Sequence, residues 1–313
     1  MNGSDPVFEL PGGFIRALGR DTDATVRAWD RIVSTTALAP RFFAGQTPQK
    51  SPDIRRFYHA SFLSQRDRGY CVGFNTCGTM MTRLRIPEGA TATSGTPLPL
   101  VQLSPLYTYD IARWQCTESG YNMGSGDGLI SSEAFKGSKK RGCVELQYYP
   151  SGPSDISNHK NGTKPKPEVL AKGDDHLMEE YALADSFEHG LELMSAGFPI
   201  AVGSMIPSGM MKTDAKGFFR MRGDIIGGHC YQLVDYDKDQ NLAWIAQAWE
   251  RWGEKTSDSH FQEMHGFTQL GTCPLDELAK WFTDKSMARG ESEMMVCNTV
   301  VGFAPPIVDY SSM

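Results

Sequence analysis

A chain of 313 residues is long enough for one large or two ordinary domains, so it can bury a core without disulfide or metal staples. Apolar residues make up 40% and charged residues 22%, and the 32 Gly and 18 Pro are spread along the chain, which excludes wholesale disorder and collagen-like structure. Lys and Arg number 31 against 37 Asp and Glu, a net charge of -6 with no long basic stripe, which argues against nucleic acid as a partner.

Residues 1–50 read as an N-terminal arm: a PGG turn, an amphipathic helical stretch over residues 21–38, then the polar joint GQTPQKSPD. The arm has neither the basic flank nor the unbroken apolar stretch of a signal peptide, so export by the standard route is not expected. No apolar run reaches the roughly 18 residues of a membrane span, so no membrane partner is expected either.

After Cys71 the stretch VGFNTCGTMMTRLRI carries apolar residues at helical spacing up to the break at Pro87, which places Cys71 at the start of a buried helix. ATATSGTPLPL reads as a loop, LSPLYTYDIARWQC as a helix, GYNMGSGDG as a Gly-rich turn, and LISSEAFKGSKKRG as a helix closed by Gly142. Residues 150–174, rich in Pro, Gly, Ser and Lys, have the composition of a connection between two lobes.

Beyond it, DDHLMEEYALADSFEHGLELMSAG reads as one helix. PIAVGSMI, GGHCYQLVDYD, NLAWIAQAW and MMVCNTVVGFAPPIV read as strands of an antiparallel sheet. The expected organisation is an arm over 1–50, a helical lobe over 51–165 and a β-rich lobe over 166–313, an α+β architecture.

A cysteine at a helix N-terminus feels the positive end of the helix dipole, which favours the thiolate nucleophile. Acyl transfer also needs an imidazole base and donors for the oxyanion. His229 qualifies as the base, because the glycines before it bring an imidazole to the start of a strand without side-chain bulk. Gln65, six residues before Cys71, offers an amide donor.

None of the seven cysteines forms a C-x-x-C pair with another, so no zinc knuckle or dithiol motif is present. His260 and His265 lie five apart, which does not set both rings on one helix face, and no metal site or cofactor is expected. Asn161-Gly-Thr fits the glycosylation acceptor pattern but, without a signal peptide, reads as an unmodified loop.

QRDRGYCVGF, LSPLYTYDIAR, GSGDGLISSEAFKGSKKRGCVELQYYP, FPIAVGSM, GGHCYQLVDYD and WIAQAWERWGE occur in the order of the corresponding segments of the papain-like cysteine peptidases. The chain resembles that family from about Pro52 to its C-terminus. The resemblance implies a two-lobed α+β fold, a helical lobe and an antiparallel sheet or barrel lobe with the active-site cleft between them.

It also implies Cys71 as nucleophile, His229 as base, Gln65 as oxyanion donor and Gly128 as a glycine lining the substrate cleft. The family's orienting Asn is absent: counting back from Trp249 puts Gln247 in its place, whereas counting forward from Trp244 puts Ala248 there. A Gln amide oxygen can accept the imidazole N–H as an Asn does, and Trp249 beside it would shield that contact from water and border the cleft.

Arg68 stands where the family's secreted members carry a half-cystine, so that disulfide cannot form, which fits a reducing compartment. The family's long inhibitory propeptide has no counterpart, since only residues 1–50 precede the matched region, and no prosegment removal is expected. The arm could lie across the cleft or tether the protein to a larger assembly.

The function expected is thiol-dependent hydrolysis of a polypeptide by a cytoplasmic or virion-associated protein. Two alternatives stand beside it. One is a papain-like protein without turnover that serves as a binding or structural component of an assembly such as a virus particle, and the other is a hydrolase of peptidoglycan peptides.

Overall fold

A computed structural model describes residues 54–58, 64–66, 68–87, 96–184, 186–195, 197–249, 252–255, 269–283 and 292–300. The N-terminal arm and the segment holding His260 and His265 lie outside the described residues.

Three helices form one side of the molecule: α1 (Cys71–Leu84), α2 (Pro105–Glu118) and α3 (Ser131–Arg141). Local chemistry sets the ends of the last two. Ser104 caps α2 by accepting the N–H of Tyr107, with Pro105 at the first helical position, where its missing N–H costs nothing. Gly142 ends α3 at φ 64°, a left-handed conformation that suits glycine.

The crossing of α1 on α2 is close because α1 carries Gly73, where a Cβ would lie 2.6 Å from the Cβ of Tyr109. One turn further on, a Cβ on Gly78 would collide with the side-chain amide of Gln232, so this glycine lets α1 press on the sheet.

The expected connection over 150–174 folds into two short helices, α4 (Pro153–Asn158) and α5 (Pro167–Leu170), then a 3-10 turn at Gly173–His176. The single helix expected next is two elements. MEEYAL forms strand β1 (Met178–Leu183), and only Phe187–Ser195 forms helix α6. MEEYAL contains good helix formers, but pairing with the last strand of the sheet overrides that preference.

The remaining strands are β2 (Ile200–Pro207), β3 (Ile225–Asp237), β4 (Leu242–Ala246), β5 (Leu270–Pro274) and β6 (Glu293–Val300). All pairings are antiparallel, in the order β1-β6-β2-β3-β4-β5. Helix α7 (Leu275–Thr283) follows β5 directly.

Alternation along the strands divides the core into two clusters. Ala201, Cys230, Met295 and Cys297 face the three large helices, whereas Val202, Tyr231, Leu233 and Val296 pack with α6, α7 and three buried tryptophans. The helices and the sheet therefore meet along one face, and both Cys71 and the residue after His229 lie on that seam.

Candidate active site

Cys71 opens α1 behind Tyr70, which gives no side-chain cap. His229 sits in β3 opposite Ser204 of β2, and the strand begins at Ile225, so the two glycines lie within it and His229 is its fifth residue rather than its first as expected. Both residues are fully buried.

The link between their elements is Asn75, one turn into α1. Its Nδ2 donates to the carbonyl of Cys71 at 2.9 Å and to the carbonyl of Cys230 at 2.7 Å. One buried amide thus joins the first turn of the helix to the residue after the candidate base. Sequence reading passed over Asn75, although a polar residue inside an apolar helical run was a signal that it has a partner across the interface.

The imidazole itself meets Gln247, with His229 Nε2 2.6 Å from Oε1. An amide oxygen only accepts, so Nε2 carries the proton and Nδ1 keeps the lone pair. Nδ1 is buried and has no hydrogen-bond partner among the described residues, and the Cys71 thiol accordingly makes no hydrogen bond to it.

Trp249 lies over the ring, with centroids 4.2 Å apart and planes 26° from parallel. Of the two positions open for the orienting residue, Gln247 is the one whose side chain reaches the imidazole. Ala248 contributes its carbonyl, which accepts the Gln65 N–H at 3.0 Å.

The electrostatics are those of an uncharged pair. Burial pushes the His229 imidazole down to about 3, against a smaller raising by Gln247. Burial pushes the Cys71 thiol up to about 12, against a smaller lowering by its hydrogen bond to the Cys230 backbone. Both shifts favour the uncharged form, the thiol and the neutral imidazole.

Gln65 is also engaged: its Nε2 donates to the carbonyl of Arg68 at 2.8 Å. Its backbone contact with Ala248 nevertheless keeps it beside the Gln247 strand end. Gly128 is buried at the end of the Gly-rich turn, next to Asp127, whose Oδ2 accepts the Gly69 N–H at 3.2 Å. No group of three metal-ligating side chains occurs among the described residues.

No family model matches the sequence, and no curated protein does. Solved structures do match. Xylellain, a cysteine protease from Xylella fastidiosa, superposes with a TM-score of 0.57 at 16% identity, over 81% of this chain and 87% of that one. Digestive procathepsin L 3 of Tenebrio molitor gives 0.52 at 14% over 82% and 71%, and the bromelain protease of Ananas comosus gives 0.51 at 16% over 79% and 97%.

The fold is papain-like. At these identities the likeness is one of fold, and the architecture is the α+β one, helices against an antiparallel sheet, that the resemblance implied. Within that papain-like frame Gln247 and Trp249 lie against His229, the Gln65 backbone bonds to Ala248, Asn75 links the carbonyls of Cys71 and Cys230, and Gly128 follows Asp127, which accepts the Gly69 N–H.

Proposed function

We propose that the protein is a thiol-dependent peptide hydrolase acting through Cys71 and His229. The observation that carries this reading is an imidazole held by Gln247 at Nε2, with its basic Nδ1 unpartnered among the described residues, on a strand that Asn75 ties, at Cys230, to the helix that opens on a cysteine. An unpartnered buried nitrogen costs about 1–3 kcal/mol, and an incoming thiol proton would satisfy it.

In the proposed reaction His229 Nδ1 takes the Cys71 proton as sulfur attacks the substrate carbonyl. The Cys71 N–H and the Gln65 amide, turned off Arg68, hold the oxyanion. The imidazolium then protonates the leaving amine, and water hydrolyses the thioester with His229 again as base. The substrate proposed is a polypeptide lying between a lobe over 51–165 and one over 166–313.

Trp249 is proposed to keep water from the His229–Gln247 bond, and Gly128 to give the substrate backbone room. Because Cys71 and His229 are buried, the reaction requires the site to open.

Labelling of the intact protein with an epoxide inhibitor of cysteine peptidases, mapped by peptide mass spectrometry, tests the proposal. Modification confined to Cys71 and abolished by His229→Ala is expected. Absence of labelling, or labelling spread over several thiols, would overturn the proposal and leave a papain-like scaffold without turnover.

A further inference from the structure

Three segments distant in sequence meet at one side-chain amide. Asn161 Oδ1 accepts the hydroxyls of Tyr70 at 3.2 Å and Tyr109 at 3.1 Å. Its Nδ2 donates to the Ser125 carbonyl at 3.1 Å and to Asp127 Oδ1. Both lone pairs and both protons of the amide are therefore in use, and Nδ2 is committed inside the fold at the position that matches a glycosylation pattern.

Asp127 completes the circuit by accepting the Gly69 N–H through Oδ2. Arg113 of α2 holds the same turn from behind, donating to the carbonyls of Gly124 at 2.5 Å and Gly126 at 2.6 Å. Arg68 donates to the Ser157 carbonyl at 2.9 Å. Burial, with the Asp127 carboxylate adding to it, pushes the Tyr70 phenol up to about 12, so it remains a donor at any ordinary pH.

We infer that Asn161 and Asp127 are positioning residues that fix the Cys71 backbone N–H relative to the Gly128 turn. The inference rests on the proposed function, in which that N–H is an oxyanion donor. Tyr70 gives α1 no side-chain cap, so the direction of the first helical N–H depends on the main chain of residues 69 and 70, and the clasp holds Gly69 by its N–H and Tyr70 by its hydroxyl. The Gly128 wall is held by the same pair of side chains. Substrate carbonyl and oxyanion donor are thereby kept in one register, while His229 is held by other groups, its ring by Gln247 and its strand by the Asn75 bond to the Cys230 carbonyl.

This separation gives a distinguishing test. Alkylation by iodoacetamide displaces iodide and creates no oxyanion, so it reads the thiol and imidazole alone. Acylation by a nitrophenyl ester passes through an oxyanion and reads the donors as well. In Asn161→Ala the acylation rate is expected to fall about 100-fold, the low end for loss of an oxyanion donor, while Cys71 alkylation stays within about twofold. Tyr70→Phe keeps the ring and removes one bond, with an expected acylation loss of about threefold to tenfold, and it decides the matter if Asn161→Ala does not fold.

Hydrogen exchange at the Gly69 amide, faster in either variant, reads the clasp without catalysis. Acylation that falls no more than alkylation, or Gly69 exchange that does not change, would overturn the inference. A wild-type protein that is neither alkylated at Cys71 nor acylated would overturn the proposed function instead, leaving Gly69 exchange to judge the clasp.

Discussion

Gln247 touches His229 through an oxygen that can stabilise an N–H but carries no full charge, so little opposes the burial that holds the imidazole down at about 3. Gln247→Glu would set a carboxylate at that contact, and an opposite charge favours the protonated ring. NMR titration is expected to show His229 neutral down to about pH 4 in the wild type and titrating more than one unit higher in the variant. An unchanged titration would mean that the 2.6 Å contact does not exist in solution. The same burial has a consequence for stability. Between the unfolded value of 6.5 and the folded value near 3, the unfolded chain binds a proton that the native chain does not. This contribution is therefore fully present above pH 6.5 and is lost as pH falls through about 3. The urea midpoint of His229→Gln is expected to fall less than that of the wild type between pH 7 and pH 4.5, and parallel curves would contradict the assignment.

Helix α1 holds its place by two devices, an absent side chain at Gly73 and a polar one at Asn75. Gly73→Ala would drive a Cβ to 2.6 Å from the Tyr109 Cβ and 2.8 Å from its backbone, a neighbour that cannot swing away, and the expected cost is about 1–3 kcal/mol by urea unfolding. Asn75→Ser keeps a polar group but cannot span the carbonyls of Cys71 and Cys230. The folded variant is expected to lose at least tenfold in epoxide labelling of Cys71, and full retention would show that the amide does not align the two elements. These elements also show how far sequence patterns reach. The start of α1 at Cys71 was legible from an apolar helical run and the strand of His229 from its alternating pattern, although β3 begins two residues before the glycines. Strand β1 was not, since MEEYAL favours a helix until β6 is beside it. Strand β5 was passed over as well, because LGTCP carries only one strong strand former and gains its order from β4. The partners of Asn75, Asp127 and Asn161 were not legible for a related reason, even where Asn75 stood out as polar in an apolar run: they lie 155, 58 and 91 positions away for Cys230, Gly69 and Tyr70, and no periodicity encodes such pairs.

At the scale of the whole molecule, helices and sheet are joined by charge as well as by apolar packing. Glu293 of β6 is buried and caps α3 across the seam, accepting the Ser132 N–H and hydroxyl at 3.1 Å each. Burial pushes its carboxyl up from 4.5 to about 7. The Ser132 bonds and Lys136 pull it down, and Glu133 adds to the rise. Because the folded value is raised, this group's contribution to stability is fully present below 4.5 and is lost as pH rises through about 7. The His229 contribution runs the opposite way, and the two windows overlap between 4.5 and 6.5, where the gain from one offsets the loss from the other and these two groups together give a plateau in mildly acidic solution. Glu293→Gln separates them: the amide keeps an acceptor for Ser132 and cannot ionise. Its melting temperature is expected to match the wild type at pH 5, where the native carboxyl is protonated, and to exceed it by several degrees at pH 8, where the wild type must bury a carboxylate. Equal shifts at both pH values would mean that the variant acts through packing alone and that the seam carries no titrating group.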